Sequence, residues 1–300
     1  MTEPPFVVTE IASQPECWRR AAGLAGGLTG ELPASGGHVA AVGCGTSWFI
    51  AQAYASLREA AGHGPTDAFA ASEFPTGRTY DRVVAITRSG TTTEVLALLR
   101  ELRGTVPTLA LTADPATPVM DLADDVVVLD FADERSVVQT RFATTALALL
   151  RASIGESLDG AIADAERALA FPLAPELLEA EQFTFLGRGW TCGLAQEAGL
   201  KMREAACAWT EAYPAMEYRH GPISITGPRR VAWMLGEPPT GLADDVAATG
   251  GLFLAADGDP MAELVKIQRL AVAIARARGL DPDNPRHLTR SVILDDKAAS

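Results

Sequence analysis

The sequence contains few of the residues that mark metal-binding or disulfide-stabilised proteins. Its 300 residues include only four cysteines and four histidines. The cysteines form no Cys-x-x-Cys pair, and the histidines are scattered without the spacing of metal ligands. We therefore expect neither a disulfide framework nor a metal site.

Positive charge is also scarce. The chain has 25 Lys and Arg residues against 38 Asp and Glu residues, a formal net charge of −13, which would repel a nucleic-acid backbone over most of the surface. No apolar run reaches the ~18 residues that span a bilayer, and the start "MTEPPFVVTE" lacks the basic and apolar regions of a signal peptide. These features argue against nucleic-acid and membrane partners and predict a cytoplasmic protein.

Short apolar runs alternate with longer helical patterns, which favours an α/β fold with parallel sheets covered by helices. The predicted strands are 38–43, 82–87, 106–111, 125–129, 183–187, 230–235 and 251–255. The predicted helices are 46–61, 92–103, 116–122, a long stretch from about 140 to 170, and 191–206. The pattern restarts after "FPLAPELLEAEQ", so we predict two domains, residues 1–170 and 171–300.

Both halves have a similar turn after their first strand, "VGCGTS" and "LGRGWT". A strand that ends in Gly-x-Gly before a helix can present free amides and hydroxyls to an anion, although the same pattern also forms simple tight turns. A second hydroxyl-rich loop, "TRSGTTTE", follows strand 82–87. Ligands of parallel sheets bind at the carboxyl ends of strands, so "VGCGTS" and "TRSGTTTE" should lie at the same site. Together the two loops predict a phosphorylated ligand.

The fingerprints of nucleotide binding are missing. "GCGTSW" lacks the third glycine of a dinucleotide motif, and no P-loop GKS or GKT occurs. A sugar phosphate is therefore a better candidate than a nucleotide.

The segments "CGTS", "SGTTTE", "LGRG", "EAGLKMRE" and "RHGP" resemble, in this order, the motifs of the sugar isomerase (SIS) family. The chain is most similar to the isomerase half of the glucosamine-6-phosphate synthases. The resemblance implies two SIS subdomains, each a five-stranded flavodoxin-like parallel sheet flanked by helices in three layers. It also implies an N-terminal helix, a C-terminal tail that covers the substrate, and homodimers whose subunits share active sites.

The same resemblance implies the binding residues. Those that hold the phosphate are Ser47, Thr87, Arg88, Ser89 and Thr92. Those near the sugar are Cys44, Gly45, Thr46, Val137, Gln139, Glu197 and Arg290. For Cys44 the simpler alternative is a small packed residue that ends a strand.

Glu197, Lys201 and Glu204 are spaced by four and three residues, so they share one face of the predicted helix. A surface ion pair would produce the same pattern. The family match favours Glu204 as the base that moves a proton between sugar carbons 1 and 2, and Lys201 as a complement to substrate charge. His220 matches the family's ring-opening histidine, which acts from the neighbouring subunit; otherwise it is an ordinary loop residue.

Two features depart from the synthase pattern. The chain begins "MTEPPF", so we expect no glutaminase domain and no ammonia from glutamine. Arg290 stands where the synthases carry a lysine.

The sequence therefore predicts a phosphosugar aldose–ketose isomerase or an amino-sugar-6-phosphate deaminase that needs no metal or organic cofactor. A non-catalytic sugar-phosphate-binding regulator and a deglycase of phosphorylated fructosyl-amines remain alternatives. The regulator is less favoured, because a sensor has no need of Glu204 and His220.

Overall fold

The computed structural model describes residues 4–294 and has an α/β fold with two parallel sheets flanked by helices. The strands are β1 Val39–Gly43, β2 Thr66–Ala70, β3 Arg82–Ile86, β4 Thr108–Thr112, β5 Asp125–Val128, β6 Gln182–Gly187, β7 Trp209–Pro214, β8 Arg230–Met234 and β9 Leu252–Ala255. The helices are α1 Phe6–Ala12, α2 Gln14–Ala25, α3 Thr46–Ala60, α4 Thr93–Leu102, α5 Val119–Leu122, α6 Arg141–Ser153, α7 Asp159–Ala170, α8 Pro175–Leu178, α9 Thr191–Ala206, α10 Leu242–Ala248 and α11 Pro260–Ala277.

The chain divides into two compact units, each built from several segments. The first-sheet unit comprises Glu16–Glu134, Arg141–Leu158 and the chain from Thr289 onward. The second-sheet unit comprises the chain up to Pro15, Arg135–Thr140 and Asp159–Leu288. The predicted boundary between residues 170 and 171 falls in the sequence after β5, the last strand of the first sheet, and before β6, the first strand in sequence of the second sheet. As a division into domains it stays a prediction.

The first-sheet unit contains a five-stranded sheet in the order β2-β1-β3-β4-β5. One face of the sheet is covered by α4, whose Leu98 and Leu99 pack with Val42 and Val83 in a buried cluster. Helix α3 packs against β1 and α6. The chain reverses its direction of travel across the sheet between β1 and β3, which is where ligands of such folds bind.

The second-sheet unit contains a four-stranded sheet in the order β7-β6-β8-β9. Leu186 and Met234 pack against Leu242 and Val246 of α10, whereas α9 packs against β6, β7 and α11. The expectation of five strands in each sheet is therefore wrong for this unit within residues 4–294.

The seven predicted strands all exist, to within two residues at each end. Two strands were missed, β2 and β7, and both lie at sheet edges. The predicted helix at 140–170 is two helices, because the chain leaves helical geometry between Ser153 and Asp159. Helix 116–122 is shorter than predicted and begins at Val119. Residues 295–300 of the predicted covering tail lie outside the described residues.

Candidate functional site

The two predicted phosphate loops leave the same edge of the first sheet. Strands β1 and β3 are parallel neighbours with Val42 beside Ala85, so the chain turns out of both strands at nearly the same height. The turn after β1 requires glycine at its first position, because a Cβ on Gly43 would lie 2.6 Å from the Ser47 carbonyl carbon. Gly45 has a φ of 55°, a conformation that other residues rarely adopt. This turn brings the start of α3, with buried Thr46 and Ser47, against the strand end.

The loop after β3 is buried although it is rich in hydroxyl groups. Gly90 adopts a φ of 62°, and Thr87 and Ser89 are only 3% and 7% exposed. The hydroxyl of Thr87 is buried and forms no hydrogen bond within the described part of the chain. A buried hydroxyl without a partner costs free energy, so Thr87 has hydrogen-bonding capacity that a ligand could satisfy.

Arg88, predicted to hold the phosphate, is 4% exposed and faces protein groups. Its Nη1 lies 3.5 Å from Oε2 of the buried Glu134, and its Nη2 donates to the carbonyl of Arg290 at 2.9 Å. Glu134 also accepts a hydrogen bond from the backbone of Arg141 at 2.8 Å. The role of Arg88 as a phosphate ligand stays a prediction, and any anion there would share the guanidinium with Glu134.

Sequence reasoning missed Ser291, which joins the hydroxyl loop from the C-terminal segment. Its Oγ lies 3.1 Å from Oγ of Ser89, 3.0 Å from Oγ1 of Thr91 and 3.3 Å from Oγ1 of Thr92. The carbonyl of Val292 accepts a hydrogen bond of 3.1 Å from the amide of Thr93. A single serine in "LTRSV" carries no local signal of such a contact, because the contact depends on tertiary packing.

Arg290 holds the C-terminal segment that contains Ser291 in place through its side chain. Its guanidinium donates to the carbonyl of Glu134 and pairs with the carboxylate of Asp133. Its predicted contact with the sugar stays a prediction, and the observed partners give Arg290 a clear structural use.

The Cys44 thiol is unsuited to nucleophilic chemistry. The side chain is half-buried and packs against the apolar cluster under α4. Burial, with a smaller contribution from the carboxylate of Glu94, raises the pKa of the Cys44 thiol to about 11. A thiol with this pKa is protonated at neutral pH, so Cys44 acts here as a packed residue, and its predicted place beside the sugar stays a prediction.

In the second-sheet unit, the turn after β6 repeats the glycine geometry of the turn after β1. A Cβ on Gly187 would overlap the backbone of Thr191, and Gly189 has a φ of 57°. Here, however, the Thr191 hydroxyl accepts from the amide of Arg188 at 2.8 Å and donates back to its carbonyl at 3.1 Å. The repeated glycine turn is therefore architectural.

The charged stripe on α9 is an ion-pair cluster. Nζ of Lys201 lies 3.5 Å from Oε1 of Glu197 and 2.5 Å from Oε2 of Glu204. The Glu197 and Lys201 side chains are 0% and 1% exposed, whereas that of Glu204 is 18% exposed. The interpretation as a solvated surface pair is therefore wrong. Glu204 is the member of the cluster that solvent and a ligand can reach.

His220 ends a short 3₁₀ turn, Glu217–His220, and is exposed. The turn is held by Tyr218, which is fully buried, and by Arg219, whose Nε lies 2.7 Å from Oδ2 of Asp245 on α10. Within residues 4–294, no side chain forms a hydrogen bond or ion pair with His220. The imidazole is thus presented by a fixed turn and is free to contact another molecule.

The segment of Val137 and Gln139 is held by the carboxylate of Glu10 and the backbone carbonyl of Asp283, both in its own unit. Oε1 of the buried Glu10 accepts from the amides of Arg135 and Ser136 at 2.6 and 3.3 Å. The amide of Val137 donates to the carbonyl of Asp283 at 2.8 Å, while the carboxylate of Asp283 caps the start of α1. Nε2 of Gln139 is buried and makes no hydrogen bond among the described residues, so it has capacity for a ligand.

The predicted residues thus form two groups. The phosphate residues and Arg290 belong to the first-sheet unit, and Glu197, Lys201, Glu204, His220, Val137 and Gln139 belong to the second-sheet unit. That they serve one active site stays a prediction. Among residues 4–294, no helix is long and apolar enough to cross a membrane, and no three His, Cys, Asp or Glu side chains are grouped to hold a metal ion.

No protein-family model matches the chain. A glutamine–fructose-6-phosphate aminotransferase (isomerizing) from Xanthomonas campestris is 28% identical over 310 residues, which cover 84% of this chain and 51% of the relative. The crystal structure of a glucosamine-6-phosphate deaminase from Thermotoga maritima superposes with a TM-score of 0.77 at 24% identity, covering 96% of this chain and 99% of that chain. The tagatose-6-phosphate ketose/aldose isomerase from Escherichia coli gives a TM-score of 0.75 at 19% identity, covering 95% and 96%.

The fold is that of the sugar isomerase (SIS) domain structures. The sequence is similar to the isomerase part of glutamine–fructose-6-phosphate aminotransferase, as the motifs indicate. The chain spans about half the length of the curated relatives that it matches.

Proposed function

We propose that this protein is an enzyme that converts a hexose 6-phosphate or a hexosamine 6-phosphate by moving a proton between carbons 1 and 2. The observation that carries the proposal is the α9 cluster, in which a buried lysine lies between a buried and a partly exposed carboxylate. Such a cluster holds Glu204 in one place at the surface of its unit, as a base in proton transfer requires.

The phosphate end of the substrate is assigned to the hydroxyl loops of the first-sheet unit. Thr87 offers a buried hydroxyl without a partner, and the start of α4 adds the favourable field of a helix N-terminus. Because the net charge of −13 repels anions over the molecule as a whole, binding of a phosphate requires local hydrogen-bond donors such as these hydroxyls.

In the proposed reaction His220 of a second subunit opens the sugar ring by proton transfer at the ring oxygen. The Glu204 carboxylate then removes a proton from the carbon next to the carbonyl, and the C–H electrons form the double bond between carbons 1 and 2. The carbonyl π electrons move to the carbonyl oxygen, which takes up the proton of the neighbouring hydroxyl and gives an enediolate. Return of the same proton to the other carbon completes the isomerisation. Lys201 complements the negative charge of the enediolate intermediate.

With an amino group on carbon 2, the same proton transfer reduces the carbon 1 aldehyde to an alcohol and oxidises the carbon 2 amine to an imine. Water then adds to the imine carbon and ammonia leaves, so the products are a ketose phosphate and ammonia. This deaminase reaction is the second candidate function. The fold shared with the Thermotoga maritima deaminase shows that this architecture can accommodate such a reaction.

The experiment is a substrate panel: hexose 6-phosphates, hexosamine 6-phosphates and fructosyl-amino acid 6-phosphates. Assays of ketose–aldose conversion, ammonia and amino-acid release separate the isomerase, the deaminase and the deglycase. Tight binding without turnover of any of the three classes would favour the regulator and contradict the proposal.

A further inference from the structure

The four hydroxyls of Ser89, Thr91, Thr92 and Ser291 form a connected hydrogen-bond cluster within the first-sheet unit. Ser89 and Thr91 both donate to Oγ of Ser291, at 3.1 and 3.0 Å. A serine hydroxyl has two acceptor lone pairs and one donor hydrogen. The distance of 3.3 Å between the Ser291 and Thr92 hydroxyls fits a donor on either side. The two hydrogen bonds that Ser291 accepts occupy both of its lone pairs, which assigns the donor role to Ser291.

This order of donors leaves the hydrogen of Thr92 outside the cluster. Thr92 accepts from Ser291, and no acceptor for its own hydrogen occurs in the described part of the chain. On the same loop, the buried hydroxyl of Thr87 forms no hydrogen bond among the described residues. Thr92 comes immediately before the first residue of α4, where an anion is stabilised.

We propose that Ser291 is a positioning residue for phosphate binding, which directs the hydroxyl hydrogen of Thr92 toward the bound phosphate. Ser291 collects two hydrogen bonds and donates one to Thr92, which leaves Thr92 as a donor to an outside acceptor. Hydrogen bonds in such a chain polarise one another, so Thr92 becomes a stronger donor than an isolated threonine. The inference rests on the proposed function, because it assumes that the hydroxyl loop binds a phosphate.

The structure also shows why Ser291 can hold this position. Arg290, the preceding residue, is fixed by Asp133 and by the Glu134 carbonyl, and the Arg290 carbonyl accepts from Arg88. On the other side, the carbonyl of Val292 is bound by the amide of Thr93. Both neighbours of Ser291 are therefore tied to the loop that Ser291 organises.

The test is a double-mutant cycle of Ser291→Ala and Thr92→Val, read by calorimetric titration with inorganic phosphate and with glucose 6-phosphate. We expect Ser291→Ala alone to weaken both ligands by about 3- to 10-fold, because Thr92 loses its directed geometry but not its hydroxyl. In the Thr92→Val background, Ser291→Ala should cause no further loss. Ser291→Thr, which keeps the hydroxyl, should restore most of the affinity.

The matched control is Ile293→Ala, in the same segment, whose side chain is 71% exposed. It should leave the affinity for both ligands unchanged, which separates the hydroxyl from a general effect on the segment. Equal losses in both backgrounds, no loss, or tighter binding in Ser291→Ala would overturn the inference. The inference about Ser291 can fail while the proposed function stands, namely if the parent protein binds phosphate and Thr92→Val weakens that binding. If the parent protein binds neither phosphate nor glucose 6-phosphate, both proposals fail.

Discussion

Nζ of Lys201 lies 2.5 Å from Oε2 of Glu204, and the lysine side chain is only 1% exposed. The second carboxylate at this lysine, that of Glu197, is fully buried. Two carboxylates therefore share one ammonium group, and only the one of Glu204 reaches the surface of the unit. This arrangement separates a structural partner of Lys201 from a candidate catalytic one.

The first prediction tests Glu204 as the base. Glu204→Gln preserves the shape of the side chain and removes its proton affinity, so kcat should fall by roughly 10²- to 10⁴-fold while the affinity for sugar phosphate changes little. Steady-state kinetics and calorimetric titration measure the two quantities separately. Glu176→Gln, an exposed carboxylate on α8, is the control and should retain parental activity. Full activity of Glu204→Gln would contradict the assignment.

The second prediction concerns Glu197 and Lys201 as a structural pair. Lys201→Met leaves a buried carboxylate without its counter-ion, which should lower the free energy of unfolding by about 3–5 kcal/mol. The double substitution Lys201→Met with Glu197→Gln removes the buried charge and should recover much of the loss. Urea unfolding measures both. Equal stability of the single variant and the parent would show that the pair has no structural importance.

The third prediction concerns the unused hydroxyl of Thr87. Thr87→Val replaces a buried hydroxyl without a partner by a methyl group of similar size, so stability should hold or rise. Phosphate binding should weaken by about 1.5–3 kcal/mol, because a hydrogen bond to a charged group is lost. Thr92→Ala should weaken it for the same reason, and Ser89→Ala should weaken it through the hydroxyl cluster, because the Ser89 hydroxyl donates to Ser291. Thermal unfolding and titration with inorganic phosphate provide the two readings.

Thr145→Val is the matched control for this prediction. The Thr145 hydroxyl is also buried and forms no hydrogen bond among residues 4–294, but Thr145 belongs to α6 and not to the hydroxyl loop. Its phosphate affinity should equal that of the parent. Unchanged affinity in Thr87→Val, Ser89→Ala and Thr92→Ala together would show that the phosphate is bound elsewhere.

The fourth prediction concerns His220, which is exposed on a turn fixed by Tyr218 and Arg219. If His220 acts in the active site of a neighbouring subunit, inactive His220→Ala and Glu204→Gln chains should regain activity when mixed. One site of each mixed dimer then contains both intact groups. Mixed dimers must first be demonstrated by mass spectrometry of differently tagged chains. No recovery in verified mixed dimers would refute the shared site.

The sequence was sufficient to predict the parallel sheets and the loops at their carboxyl ends, because buried strands such as β1 and β3 are short apolar runs. It was insufficient for β2 and β7. These are edge strands with mixed polarity, and Trp209 in β7 is 54% exposed. They therefore lack both an apolar run and a clean alternation.

For the candidate site, helical spacing was enough to bring Glu197, Lys201 and Glu204 together, since all three lie on one helix. It could not reveal that the cluster is buried, which depends on the elements packed around α9. The contacts of Ser291 and Arg290 join residues about 200 positions apart in sequence. No local pattern predicts such pairs, and the resemblance to a family supplied a role for Arg290 but not its observed partners.

The last prediction concerns Arg290, which stands where the synthases of this family carry a lysine. A lysine amine can form an imine with an open-chain ketose, whereas a guanidinium stays charged at neutral pH and does not. We therefore expect no covalent sugar adduct at residue 290. Because its guanidinium holds the segment of Ser291 to Asp133 and Glu134, Arg290→Ala should raise KM by about 10-fold with little change in kcat. Borohydride reduction with substrate, followed by peptide mass spectrometry, tests the first claim: an adduct within the segment around 290 would refute it, and an adduct on Lys201 would assign covalent chemistry to α9.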